Sequence, residues 1–397
     1  MHSTNTVYRL NGQVRHYPWG ECASAATPHP YIPQLLGVEA GAQPWAELWL
    51  GAHPALPSTL DDGTPLGDAI REAPAEWLGK AGGTELAYLF KVLSCRRALS
   101  IQTHPDEQSA IRLHAERPDL YGDPHDKTEI IIALTPFAAM AGWRQPAAIR
   151  DSLERRSALR SALSPSWQEN GDSDSLRIIC QKLFAMDNGD AAALIAGLKA
   201  ELSLPGTVLT DAEELFLSLE REYPADRGAL FAFLLNHCRL APGEALFLAP
   251  NSPHAYLCGT GIECMTNSDN VIRAGLTGKP VDVPTLLSTV DFHRFGTTPV
   301  APHTGEEGTG RLLQYLPPTR KFRITVIENA AFSLEHLPEG MGILLILSGA
   351  MRLEGPGYCC DARRGSAWVC PSALRAGNFI PASEDTVAAW VQTAFTG

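Results

Sequence analysis

The chain has 397 residues, of which 45% are hydrophobic and 19% charged, and its formal net charge is −12 at pH 7. That length predicts two or three domains with a substantial core, and the composition lies far from the low-apolar, highly charged chains that stay disordered. The acidic balance, with no Lys/Arg cluster longer than a pair such as Arg155-Arg156, argues against a nucleic-acid partner and leaves any anionic ligand to a few local cations.

From the start to about residue 145 the sequence is rich in Pro, Gly and short apolar runs, Ala87-Tyr88-Leu89-Phe90-Lys91-Val92-Leu93 and Ile130-Ile131-Ile132-Ala133-Leu134 among them. Such runs between turn residues predict mostly β structure. Between about 146 and 237 the period becomes helical. Leu215, Phe216 and Leu219 follow the capping-box pattern Thr210-x-x-Glu213, and Leu230, Phe233, Leu234 and His237 repeat at helical spacing. This block reads as core-forming helices without chemistry of their own.

From about 238 the β texture returns. In GEALFLAPNSPHAYL the turn Pro250-Asn251-Ser252-Pro253 should set His254 at the start of a strand. A loop rich in Pro, Gly and Thr is expected near 301–310, followed by further strands in GILLILSGAMRL, with a Ser348-Gly349 turn, and in AGNFIPAS. Short strands with Gly/Pro turns suggest barrels or sandwiches, so the fold class is mainly β with a helical insertion.

The nine cysteines are scattered and never spaced CxxC, which excludes a zinc ribbon or a redox motif; vicinal Cys359-Cys360 should simply alternate across a strand. The start MHSTNTVYRLNGQ has neither a basic leader nor an apolar run, and no stretch reaches the ~18 apolar residues of a membrane span. The expectation is a cytoplasmic protein with reduced thiols and no membrane partner.

Four stretches hold polar residues that look out of place. In SIQTHPDEQSA at 100–110 an extended strand turns Ser100, Gln102 and His104 to one face, because side chains alternate with a period of two. In DKTEIIIAL at 126–134 Lys127 and Glu129 share a face just ahead of an apolar run, where a buried carboxylate needs a partner. The third is PNSPHAYL with His254. The fourth, GIECMTNSDNVIRAGLTGK at 261–279, sets Glu263, Asp269, Asn270, Arg273 and Lys279 among small and apolar residues. A lone His beside an apolar strand is more often hydrogen-bonded than a ligand. Two His with one Glu are nonetheless a familiar ligand set for catalytic zinc, and a Gln oxygen could serve as a further neutral ligand.

These stretches resemble the type I phosphomannose isomerase family, zinc-dependent enzymes of cupin fold. HYPWGE at 16–21, WAELWLGAHPALPS at 45–58, FKVLSCRRALSIQTHPDEQ at 90–108 and, most specifically, PHAYLCGTGIECMTNSDNVIRAGLTGK at 253–279 carry the likeness. The resemblance implies two cupin-like (jelly-roll) β-barrels plus an α-helical domain: a catalytic barrel from 1–145 and 238–310, a helical insertion at 146–237, and a C-terminal cupin-like domain at 311–397. It implies one zinc per chain on Gln102, His104, Glu129 and His254. Arg273 would lie beside the reacting carbons, Lys127 and Glu263 would transfer protons or position substrate, and Ser100, Lys91 and Lys279 would meet the substrate phosphate. The expected reaction is the aldose–ketose isomerisation of mannose 6-phosphate and fructose 6-phosphate by a monomer.

Two departures stand out. Thr103 replaces the family's usual Ala, on the face away from the metal. Where the family usually reads His-Lys-Pro-Glu this chain has Asp126-Lys127-Thr128-Glu129, so work assigned to that histidine does not carry over unless His125 moves in. Two rival readings stay open on the residues: an iron-dependent cupin oxygenase, and a sugar-sensing metal-binding cupin without activity.

Overall fold

The structure is a computed structural model that describes residues 5–24, 27–80, 82–167, 172–307, 310–335 and 337–393. It is mostly sheet with several helices. One sheet of eleven strands is built around Tyr88–Cys95, Glu129–Ala133 and the 13-residue strand His254–Thr266. All of Tyr88–Cys95 and Glu129–Ala133 is buried, which is why their β-branched and aromatic residues run on without polar interruption except where chemistry intervenes. The pairing is antiparallel and sets Glu263 opposite Lys91 and Met265 opposite Glu129.

The long strand begins at His254, where the Pro-Asn-Ser-Pro turn predicts it. It changes partners along its length. Residues 259–266 pair with Tyr88–Cys95, whereas His254–Cys258 pairs with Phe137–Trp143, and the ladder slips between Tyr256 and Cys258. Gly259 makes the change possible: its φ is +115°, and a Cβ there would stand 2.5 Å from the Pro136 carbonyl oxygen. The short strand Ile101–Thr103 joins beside it, with Gln102 opposite both His254 and Arg273.

An eight-stranded sheet is formed mainly by residues 303–392, but its last two strands are Tyr8–Asn11 and Thr59–Leu60. A further four-stranded sheet includes Ala350–Gly355 and Tyr358–Arg363, where Cys359 and Cys360 alternate as expected. The two large sheets share a core. Tyr88, Phe90, Val92, Ile130 and Ile132 of the first meet Ile324, Ile343, Leu345 and Val391 of the second, all essentially buried. Each such side chain contributes roughly 1.5–3 kcal/mol by burial. Lys91, between Phe90 and Val92, therefore points to the opposite face.

The helical block holds Pro146–Arg155, Ser157–Ala162, Asp172–Ala185, Asn188–Leu202 and Asp211–Glu222. Its capping box is formed: Thr210 N–H donates to Glu213 Oε2 at 2.7 Å, and Glu213 N–H to Thr210 Oγ1 at 3.4 Å. The helical period expected through His237 ends earlier. Arg227–Phe233 is a 3-10 helix, and Leu235–Leu240 is a strand with His237 opposite Met140. Spacings of three and four do not separate an α-helix from a buried 3-10 turn running into a strand. Asn236 secures the strand, its Nδ2 donating to the carbonyls of Ala141, Gly142 and Trp143.

The first segment is less purely β than its texture predicts, with helices at Tyr31–Leu36, Leu66–Glu72, Pro74–Leu78 and Glu107–Glu116. The last starts just past the SIQTHP strand, because Asp106 Oδ1 accepts from Ser109 N–H as an N-cap. The loop expected near 301–310 is largely a hairpin, His303–Glu307 against Gly310–Tyr315, and residues 308–309 lie outside the described residues.

Candidate active site

On the face of the first sheet turned away from the shared core, His104, Glu129 and His254 come together, with one ligand atom from each all within 4.8 Å of one another. His104 follows the strand Ile101–Thr103, Glu129 opens its own strand, and His254 opens the long one. Both rings are oriented by their Nδ1 atoms, which donate to the Asn270 carbonyl at 2.8 Å and the Ser252 carbonyl at 3.0 Å. The two Nε2 atoms are then left without protons and face Glu129, His104 Nε2 at 3.2 Å from Oε1 and His254 Nε2 at 3.3 Å from Oε2.

Three lone-pair donors thus converge in a buried place. His104 Nε2, His254 Nε2 and Glu129 Oε2 have no hydrogen-bond partner among the described residues, an arrangement that costs free energy unless a cation lies between them. Burial, aided by Lys127 and His254, lowers the His104 pKa to about 4, which keeps the ring a neutral ligand near pH 7. Burial pushes Glu129 the other way, but the charge of Lys127 beside it helps hold its carboxyl well below the usual range. The donor set of two imidazoles and one carboxylate fits zinc. Gln102 is the cross-strand neighbour of His254 and lines the same cavity as Glu129.

A second charged group lies beside the first. Lys91 Nζ stands 3.0 Å from Glu263 Oε2 and 3.4 Å from Glu47 Oε1, and all three residues are buried. Glu47 also accepts from Trp49 Nε1 at 2.9 Å. Burial would lower the Lys91 pKa, but Glu263 and Glu47 more than offset it, so the ammonium is held charged. Burial raises the Glu263 pKa against the attraction of Lys91. Lys127 Nζ lies 3.2 Å from Glu129 Oε1. A carboxylate raised toward neutrality among fixed cations can take and return a proton.

A cavity of about 400 Å³ opens over these groups. Ser100, Gln102, Lys91, Lys127, Glu129, Glu263, Arg273 and Lys279 all line it, while His104 and His254 lie buried behind its wall. Arg273 is half-buried, and a guanidinium keeps its charge there. His125 is exposed and does not line the cavity; its carbonyl accepts from Asn270 Nδ2 at 3.0 Å. Asp126 forms an ion pair with Lys321, which comes from just before the strand Arg323–Glu328. Thr103 is buried on the other face.

Several lining residues escape a reading of the sequence. Glu47, Tyr17, Trp19, Trp49, Tyr223 and Tyr256 all reach the cavity. Glu47 had a signal, a carboxylate inside the apolar run Ala46-Glu47-Leu48-Trp49-Leu50 that a buried strand tolerates only with a partner. Tyr17, Trp19, Trp49 and Tyr256 lie in the stretches that carry the family likeness but show no chemistry by spacing, and Tyr223 closes the helix Asp211–Glu222, where an aromatic residue looks like packing.

Residues 7–146 match the family model for the phosphomannose isomerase type I catalytic domain. Relatives in sequence include mannose-6-phosphate isomerase from Ogataea parapolymorpha, 34% identical over 97% of this chain and 98% of its own, and mannose-6-phosphate isomerase 1 from Arabidopsis thaliana, 34% identical over 87% and 85%. A probable mannose-6-phosphate isomerase from Echinococcus multilocularis is 40% identical over 89% of this chain and 90% of its own. Among solved structures, a point variant of phosphomannose isomerase from Salmonella typhimurium superposes with a TM-score of 0.85 at 29% identity, covering 98% of this chain and 100% of that one. A mannose 6-phosphate isomerase bound with zinc and yttrium gives 0.84 at 29% identity with the same coverage.

Proposed function

The chain belongs to the type I phosphomannose isomerase family, and we propose that it interconverts mannose 6-phosphate and fructose 6-phosphate. The observation that carries this reading is the trio of unpartnered ligand atoms on His104, Glu129 and His254, set against a cavity lined by Lys127, Glu263, Arg273 and Lys279. We take Gln102, His104, Glu129 and His254 as the holders of one zinc ion per chain. Such an ion, when bound, would supply Lewis acidity toward the substrate's oxygens.

The isomerisation moves one proton between adjacent carbons and one between their oxygens, with no net gain or loss of atoms. Glu263 takes the proton from C2 of the open-chain aldose and returns it to C1, and burial raises its pKa above the ordinary carboxylate value, which favours a carboxyl that can hold the proton between the two steps. Lys127, held by Glu129, donates toward the substrate oxygens and passes the hydroxyl proton. Arg273 sets a fixed positive charge where the enediolate's negative charge develops.

Ser100 and Lys279 hold the phosphate at the other end of the cavity, a remote handle whose binding energy orients the sugar. Lys91, expected beside that phosphate, has its charge shared with Glu47 and Glu263. We assign it instead to holding Glu263. Asp126 replaces the family's usual histidine, and its pairing with Lys321 makes it a strut rather than a proton carrier.

On the fold, we propose that the two large sheets are cupin-like barrels with 146–237 inserted between halves of the first, and that the C-terminal unit 311–397 borrows the strands Tyr8–Asn11 and Thr59–Leu60. We propose a cytoplasmic monomer; no helix among the described residues is long and apolar enough to cross a membrane. The test is a coupled assay for fructose 6-phosphate formed from mannose 6-phosphate, with metal analysis. Turnover that a chelator abolishes and zinc restores is expected. A fully zinc-loaded protein without turnover overturns the proposal, and iron in place of zinc points to the oxygenase chemistry.

A further inference from the structure

His53 takes no part in the reaction described above, yet it is only 2% exposed. It follows the strand Glu47–Leu50, and its ring meets Trp49 edge-on with centroids 5.0 Å apart. The backbone N–H of Ala55 donates to His53 Nδ1 at 3.2 Å, so the ring proton sits on Nε2. That atom lies 3.4 Å from Oδ1 of Asp269.

Asp269 is a different kind of residue. Its carboxylate is 64% exposed and lines the cavity beside Lys127 and Arg273. Its backbone is strapped to Asp123: Oδ2 accepts from Asp269 N–H at 3.0 Å, and Oδ1 accepts from Ser268 Oγ at 2.8 Å and from Asn270 Nδ2 at 3.1 Å. The backbone is therefore fixed, while an exposed carboxylate would still exchange rotamers. One buried imidazole nitrogen 3.4 Å from Oδ1 favours a single rotamer. A neutral imidazole N–H does so without cancelling the carboxylate's charge, which a lysine in its place would do.

We infer that His53 is a positioning residue for substrate recognition: it fixes Asp269 so that the carboxylate oxygen left free accepts a hydroxyl of the sugar. The inference rests on the isomerase reading of the cavity. A sugar phosphate brings several hydroxyl donors into a cavity whose other carboxylates, Glu47, Glu129 and Glu263, already face Lys91, Lys127 or the two histidines. A carboxylate locked at its mouth supplies an acceptor of fixed direction, which a phosphate alone does not call for.

A double-mutant cycle tests it. His53→Phe keeps the edge contact with Trp49 but removes the donor, His53→Gln returns an N–H near the place of Nε2, and Asp269→Asn weakens the acceptor. In the zinc-loaded protein His53→Phe should weaken fructose 6-phosphate binding, read by calorimetry, and raise KM by about tenfold, the effect of one directional hydrogen bond. Zinc content should be unchanged. His53→Gln should recover most of the loss, and His53→Phe should add nothing in the Asp269→Asn background.

Additive losses, unchanged binding in His53→Phe, or loss of zinc would each overturn the inference. A second measurement needs no His53 variant: the imidazole 15N shifts should report the Nε2–H tautomer and move on adding fructose 6-phosphate to the parent protein but not to Asp269→Asn. Equal movement in both overturns it. Absence of turnover in the parent chain sinks the isomerase reading alone, because the binding cycle still judges His53.

Discussion

The two large sheets follow the same rules of strand pairing and differ in what occupies their alternate positions. In Tyr88–Cys95 the face away from the shared core carries Lys91, its two neighbouring strands bring Glu47 and Glu263, and Glu129 stands one strand beyond Glu263. In Gly342–Ser348 the alternate positions are Leu344 and Ile346, which meet Trp368, Ala388 and Trp390 in an apolar cluster of their own. The buried polar residues of the eight-stranded part are neutral ones such as Thr325, Ser372 and Gln392, whereas buried Lys and Glu side chains lie earlier in the chain. Buried ions are retained at a cost that packed apolar groups avoid. The candidate site thus rests on a few polar replacements on one sheet, not on antiparallel pairing, which both sheets have in common.

That contrast is open to attack from both sides. The largest effect should come from His254→Ala, which removes one of the paired imidazoles. Bound zinc should disappear from elemental analysis and turnover should fall by on the order of 10³-fold or more, as should chelation of the parent protein. Next, Glu263→Gln should retain zinc and lower kcat by about 10²–10⁴-fold. Because burial raises the Glu263 pKa, the carboxylate of the parent is protonated as pH falls through a value above the ordinary 4.5. The acid limb of its kcat against pH should therefore lie above 4.5 and vanish in the Gln variant.

On the apolar side, Leu345→Ala should destabilise the protein by about 2–5 kcal/mol in chemical denaturation, since Leu345 is fully buried in the core joining both sheets. The folded fraction should keep its KM and zinc, and a variant that lost zinc while still folded would show that the second sheet shapes the site directly. The smallest effect is expected from Lys279→Ala. It should keep zinc and kcat and raise KM by about tenfold, less at high salt, because the phosphate contact is exposed to screening. Loss of metal there, with His254→Ala retaining it, would reverse the assignment of the two ends of the cavity.

Local sequence determined a good deal of this. Alternation predicted Gln102 and His104 on one face and brought Lys127 to Glu129, the Pro250 to Pro253 turn started a strand at His254, and Thr210 with Glu213 announced a helix. The family likeness of 253–279 then joined these pieces into one site. Period alone failed where two structures share it: Leu230 and Phe233 fit an α-helix as well as the 3-10 turn they form, and His237 went to a strand because Phe137–Trp143 was there to pair with.

Only the tertiary structure decided which charges meet. Lys91 finds Glu263 172 positions away and Glu47 44 positions away. Asp126 finds Lys321, and His53 finds Asp269 across the cavity mouth. Side-chain spacing is a local property with a reach of a few residues, whereas a partner across a sheet is chosen by register and by which face is buried. The residues able to do chemistry could therefore be named from the chain, but the state of each, shared, locked or left free for a ligand, arose from pairings that no local pattern contains.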